Sequence, residues 1–276
     1  METILIQRGQ WAAEIAPSLG ANVVKLTYNG QPVLRTPEQS VDAYQFGMPI
    51  LLPANRTRAG RFSFEGKEYA LPINEPAAPA QLHGLVHDQN FTLVRRSETE
   101  AVLTYCSTPE VYPFPFRITV AYTMTEAGIR ARHTVENMGQ TNMPYTFCLH
   151  TTFVEPDWFS VPLGLEQQRD DRNLPTGPYI PLSEDQQPMV TGVDPRTMSI
   201  SGYYRAAGHT AHIGPYRYES SENYDHWVLY NAGGRMGILC VEPQCGGVDG
   251  LNIPDGHRVL APGEKETFET FITARG

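Results

Sequence analysis

Residues Phe116–Met124 read FRITVAYTM and, after Thr125-Glu126-Ala127-Gly128, residues Ile129–Glu136 read IRARHTVE. In the first run an apolar or aromatic side chain recurs at every second position, and β-branched residues crowd both runs. A period of two sends successive side chains to opposite faces, so each run reads as a strand with one face toward a core. Working outward, Ala21–Tyr28 (ANVVKLTY), Phe62–Tyr69 (FSFEGKEY), Phe91–Arg95 (FTLVR) and Ala101–Ser107 (AVLTYCS) carry similar signatures. So do His226–Tyr230 (HWVLY), Met236–Val241 (MGILCV) and Thr267–Thr273 (TFETFIT). Asn29-Gly30 and Glu65-Gly66 are hairpin-turn signals. No amphipathic helix longer than about three turns stands out by the same test. Strands in regular succession without intervening helices predict an all-β, mainly antiparallel sandwich or barrel.

The 276 residues suit one large β domain spanning 1–276, and a 41% hydrophobic, 18% charged composition supports a well-buried core. No apolar run approaches the roughly 18 residues of a membrane span. Lys and Arg number 21 against 30 Asp and Glu, a net charge of −9, which argues against a nucleic-acid partner. The start, Met1-Glu2-Thr3-Ile4-Leu5-Ile6-Gln7-Arg8, lacks the basic and long apolar regions of a signal peptide. Cys106, Cys148, Cys240 and Cys245 fit neither a disulfide framework nor a zinc spacing. Free, mostly buried thiols in a cytoplasmic protein are expected. Asn74–Gln81 and Leu165–Asp194 read as irregular loops, rich in proline.

Of the eight histidines, His133 and His257 read as solvated surface, and His209 with His212 lack the companions of a metal site. His83 precedes Gly84 at the end of the Pro-rich loop, where a scaffold can aim it into a cleft. His150 closes the apolar run Phe147-Cys148-Leu149, and a buried imidazole needs a partner or a job. Glu242 ends the apolar strand Met236–Val241, where desolvation raises a carboxyl's pKa and makes it a better base. A strand-end glutamate can equally be half of a rim ion pair, and Arg56 and Asp225, taken singly, read as salt-bridge members. Nucleotide loops and the Gly-x-Ser-x-Gly elbow are absent.

Asn55-Arg56 before Gly60-Arg61-Phe62, Leu82-His83-Gly84, Asn142-Met143-Pro144 leading to His150 and Leu174-Pro175-Thr176-Gly177 occur in that order. Tyr224-Asp225-His226, Val241-Glu242-Pro243-Gln244, Asn252-Ile253-Pro254 and Leu260-Ala261-Pro262-Gly263-Glu264 follow. Together they resemble the motifs of the aldose 1-epimerase (galactose mutarotase-like) family from about Ala21 to the last strand. The resemblance implies a β-supersandwich with an open, concave sugar cleft. It implies that Glu242 is the base at the anomeric O1 and His150 the acid at the ring oxygen O5. His83 would polarise the ring oxygen, and Arg56, Asn55 and Asp225 would bind hydroxyls of a monosaccharide. Neither metal nor cofactor is implied, because no redox step or hydrolysis occurs, and the chain would act as a monomer or homodimer. An ionised Glu242 and a protonated His150 would stabilise one another near pH 7.

The sequence departs from the family at Thr151-Thr152-Phe153, where Pro-Tyr-Phe is common, and at Leu85 and Phe91. These departures bear on which sugar is taken. A hexose-6-phosphate 1-epimerase and a non-catalytic sugar-binding protein on the same fold are the alternative readings.

Overall fold

Two broad antiparallel sheets stacked face to face form the body of the molecule, described over residues 1–39 and 44–275 by a computed structural model. The outer sheet runs, strand beside strand, Thr92–Arg96, Glu100–Cys106, Phe116–Met124, Gly128–Asn137, Lys265–Ala274, Tyr216–Ser220, Thr210–Ile213 and Phe159–Ser160. The inner sheet runs Pro175–Ile180, Leu163–Arg169, Ser201–Ala206, His226–Tyr230, Ile238–Cys245, Phe147–Leu149 and Ile50–Leu51, with Thr152–Val154 also paired to Ile238–Cys245. The architecture is all-β and mainly antiparallel, a two-sheet sandwich as expected.

Alternation builds the layer between the sheets. Phe116, Ile118, Val120, Tyr122 and Met124 are buried on one face of their strand, and the residues between them are half-exposed. Trp227, Leu229, Leu239 and Val241 answer from the inner sheet in the same apolar cluster. Phe147 stacks on Phe268 at 4.7 Å across the two sheets, and Tyr218 meets Trp227 edge-on at 6.1 Å. Fully burying one such ring stabilises the fold by about 1.5–3 kcal/mol. A smaller sheet, Ile4–Arg8, Trp11–Ala16, Asn22–Tyr28 and Gln31–Pro32, is tied to the outer sheet where the Tyr122 hydroxyl donates to the Ala21 carbonyl.

The predicted strands lie within a few residues of the observed ones. At Asn29-Gly30 and Glu65-Gly66 both turn residues adopt positive φ, as a primed hairpin turn requires. Phe62–Tyr69 is therefore a hairpin, Arg61–Phe64 against Lys67–Ala70, and not one strand. The passage 165–194 is more regular than expected: Leu163–Arg169 and Pro175–Ile180 pair across a register shift, and Pro188–Thr191 is a single helical turn.

His133 overturns its surface assignment. It shares the inward parity of Ala131 and Val135, is fully buried beside Tyr122 and Phe147, and neither ring nitrogen has a hydrogen-bond partner. Burial lowers its pKa from 6.5 to about 3. Above pH 6.5 the ring is neutral folded or unfolded; below it, only the unfolded chain takes up the proton. Stability therefore falls as pH drops from 6.5 toward 3, by about 2 kcal/mol at pH 5 from this residue. His133→Leu should raise the denaturation midpoint at pH 7, by relieving two orphaned nitrogens, and should flatten the decline between pH 7 and pH 5. Equal pH dependence in both proteins would contradict this account of His133.

Candidate active site

On the Ile238–Cys245 strand, Leu239 and Val241 face the inter-sheet core, so Cys240, Glu242 and Gln244 face the opposite, concave side. Val228 lies opposite Glu242 and Tyr203 opposite Val228, giving one row across three adjacent strands. Leu149 also faces the core, which leaves Cys148 and His150 on the concave side. The result is a cleft of about 260 Å³ lined by Asn55, Arg56, His83, His150 and Glu242, with Glu75 and Tyr203 beside Arg56. That volume suits a ligand smaller than the usual drug-sized occupant.

The backbone demands that place His83 and Asn55 are local. Both residues have positive φ, +63° and +55°, a conformation held only where the surroundings enforce it. The His83 N–H donates to the Asn55 carbonyl at 2.7 Å. Gly84 packs so tightly on the Leu52 carbonyl that a Cβ would stand 2.1 Å from its oxygen. The glycine after His83 thus answers a steric need and, by meeting it, fixes where the imidazole goes.

His150 Nε2 and Glu242 Oε1 are 3.4 Å apart, and the His83 ring meets the His150 ring edge-on at 5.1 Å. The Cys148 thiol donates to Glu242 Oε2 at 3.7 Å. Burial dominates the electrostatics. It pushes the Glu242 carboxyl up to about 8, against the Cys148 hydrogen bond and the charge of Arg56. It pulls His150 down to about 4, and His83 well below its usual value with help from His150 and Arg56. Burial thus works against the expected ion pair and favours, near neutrality, the form with the couple's one proton on the carboxyl beside a neutral imidazole. Desolvation disfavours the charged form of each group and so works against their attraction across 3.4 Å.

Arg56 makes two hydrogen bonds to Glu75, at 2.7 and 2.6 Å, and donates to the Tyr203 hydroxyl at 3.0 Å. Burial opposes its charge, but the bonds to Glu75 raise its pKa overall. Asn55 is buried, with Oδ1 3.5 Å from Arg56 Nη1.

Asp225 stands apart. It accepts from the Gly246 N–H at 2.9 Å and contacts His226 Nδ1 at 2.6 Å, and it lines a separate hollow with Asp255, His257 and Arg258. The reason is parity. His226 shares the strand face of Val228 and Glu242, and Asp225, one residue earlier, does not. The structure thus brings together Glu242, His150, His83, Arg56 and Asn55, and leaves Asp225 out of the cleft. Sequence reasoning missed Glu75, Tyr203, Cys148 and Cys240, none of which sits in a readable motif; the one signal was that a buried Arg56 requires a counter-charge.

Among the described residues, His150, Cys240 and Glu242 place three potential metal-ligand atoms within 4.8 Å of one another. Without an ion, burial raises the pKa of both the Cys240 thiol and the Glu242 carboxyl, so a cation bound there would have to displace both protons.

Residues 2–273 match the aldose 1-epimerase family. The uncharacterised protein YihR of Escherichia coli K12 is 27% identical over 185 residues, covering 63% of this chain. The match spans 59% of YihR. A galactose mutarotase-like protein from Clostridium acetobutylicum superposes with a TM-score of 0.89 at 22% identity, over 98% of this chain and 94% of its own. An aldose epimerase homologue from C. elegans gives 0.84 at 18% identity, over 100% and 99%.

A carboxyl whose pKa is near 4.5 unfolded and about 8 folded loses stability as pH rises, because only the unfolded chain ionises in that window. At pH 7 the penalty is about 3 kcal/mol. Glu242→Gln should therefore be more stable than the wild type at pH 7, with the difference vanishing near pH 4. Chemical denaturation at the two pH values measures this; a variant that is less stable at pH 7 would contradict the protonated, desolvated carboxyl.

Proposed function

The chain belongs to the aldose 1-epimerase family, and from that premise we propose that it interconverts the α and β anomers of a free aldose by acid–base opening and closure of the ring. The observation that carries this reading is the contact between Glu242 and His150 in a cleft of monosaccharide size. Opening a pyranose removes the proton on O1 and delivers one to O5. Rotation about C1–C2 and the reverse transfers close the ring with the other configuration. O1 and O5 are both bonded to C1, so two groups in contact with each other can serve both oxygens from one side, without flanking the ring.

The pair's single proton makes the cycle self-contained. Passing it from Glu242 to His150 yields a carboxylate base and an imidazolium acid with no change of net charge. Glu242 then takes the O1 proton as His150 gives its own to O5, and closure on the opposite carbonyl face restores the pair. A base with a pKa of about 8 is matched to work near neutrality, and each positioned group is worth roughly 10²–10⁴-fold. His83, buried and neutral with an unpartnered Nδ1, orients a sugar oxygen beside the pair. Asn55 and Arg56, beside His83 on the paired segment, receive hydroxyls. Chemistry that neither oxidises nor hydrolyses calls for no cofactor.

We place the protein in the cytoplasm, since its cysteines are all free thiols and unpaired thiols persist in reducing compartments. Among the described residues no helix is long and apolar enough to cross a membrane.

Polarimetry of freshly dissolved α-glucose, α-galactose and L-arabinose tests the reading. The wild-type protein should speed the drift to equilibrium. Glu242→Gln and His150→Gln should each lose about 10²–10⁴-fold in kcat, with sugar affinity of Glu242→Gln largely kept. Undiminished turnover by Glu242→Gln would remove that residue from the mechanism.

A further inference from the structure

The guanidinium of Arg56 is engaged along most of its donor edge. Nε and Nη2 fork onto the Glu75 carboxylate, and Nη1 reaches the Tyr203 hydroxyl at 3.0 Å and Asn55 Oδ1 at 3.5 Å. Of five N–H donors these contacts leave one on Nη2 for a ligand. Glu75 itself lines the cleft, and its side chain is 22% exposed. Two carboxylate oxygens that each accept once keep lone pairs free for further donors.

Among the described residues that line the cleft, Arg56 is the one arginine or lysine. Arg58 is held by Asp249 and by the Pro175 carbonyl, and Arg169 lies on the Tyr203 ring and is not part of the cleft lining. His83 and His150 are kept neutral by burial. Residues 40–43, Ser-Val-Asp-Ala, contain no Lys or Arg.

We propose that Glu75 is a specificity-determining residue: by neutralising Arg56 it turns a would-be anion receptor into a paired donor and acceptor that takes neighbouring hydroxyls of a neutral aldose and repels anionic sugars. This rests on the epimerase reading above. A phosphate or carboxylate wants an unopposed bidentate arginine, and here that fork is already occupied by a carboxylate. A vicinal diol, by contrast, can accept from the remaining Nη2 hydrogen and donate to Glu75. Specificity of this kind works by repulsion as much as attraction.

The test uses two sugar pairs, galactose with galacturonate and glucose with glucose 6-phosphate, and compares kcat/KM for anomerisation within each. The wild type should favour the neutral member by roughly 100-fold. Glu75→Gln, which releases Arg56, should shrink that ratio at least about tenfold, chiefly by improving the anionic sugar. Glu75→Asp, which keeps the charge, should hold the wild-type ratio. Should Glu75→Gln not fold, competition by inorganic phosphate against galactose in the wild type decides: none is expected, and clear competitive inhibition would overturn the inference. An unchanged ratio in Glu75→Gln, or a wild type that handles both members equally, would also overturn it while leaving the epimerase reading intact. Failure of every aldose to respond to the wild type would instead overturn that reading, and the inference with it.

Discussion

The burial of two ionisable side chains in contact is the constraint on which the proposed chemistry depends. Glu242 and His150 are 5% exposed or less and lie 3.4 Å apart. In water such a couple at neutral pH would be an ion pair. Buried, it favours one proton between two uncharged groups, with the carboxyl raised to about 8 and the imidazole lowered to about 4. Because the charged and uncharged forms differ only in where one proton sits, a bound sugar that supplies its own hydroxyl dipoles can tip the balance between them.

The supersandwich exists, in this view, to keep that couple dry and aimed. The apolar layer between the sheets fixes the parity of Ile238–Cys245 and Phe147–Leu149, which puts Glu242 and His150 on the same concave side. The close approach of Gly84 to Leu52 sets His83, and the Glu75–Arg56 fork stiffens the wall beside it. Arg56 is itself held from the other flank, where its carbonyl accepts from the Asp249 N–H at 2.9 Å. Stability is surrendered at Glu242, a common companion of function. His133 carries a similar acid-side liability with no contact to the cleft, and nothing in the structure explains why an imidazole stands there.

Strict alternation made Phe116–Met124 readable to the residue, since a two-residue period admits only one burial pattern once a core exists. His226–Tyr230, buried on both faces, was legible only as a short apolar run between turn signals. The same rule applied to His133 would have placed it inside with Ala131 and Val135; its charged neighbours Arg130 and Arg132 lie on the other face. Leu163–Arg169 and Pro175–Ile180 escaped notice because their pairing shifts register and one strand begins at a proline. His150, His83, Arg56 and Asn55 could be singled out because turns and ordered motifs flag them. Glu242 was read as a strand end, but it lies inside Ile238–Cys245, and its burial comes from the ladder on both sides. Asp225 was misplaced because a motif carries no parity. Glu75 was invisible because its meaning lies in a contact with Arg56, 19 residues away, made across a loop without period.

The pH dependence of kcat/KM for anomerisation of a neutral aldose tests the shared-proton account most directly, since it reports the ionisations of the empty site. One proton on the couple is the working state, so activity should form a broad bell centred near pH 6, falling below about 4 and above about 8. Rates that stay level below about pH 4 and above about pH 8 as well, or that depend on one ionisation alone, would contradict it.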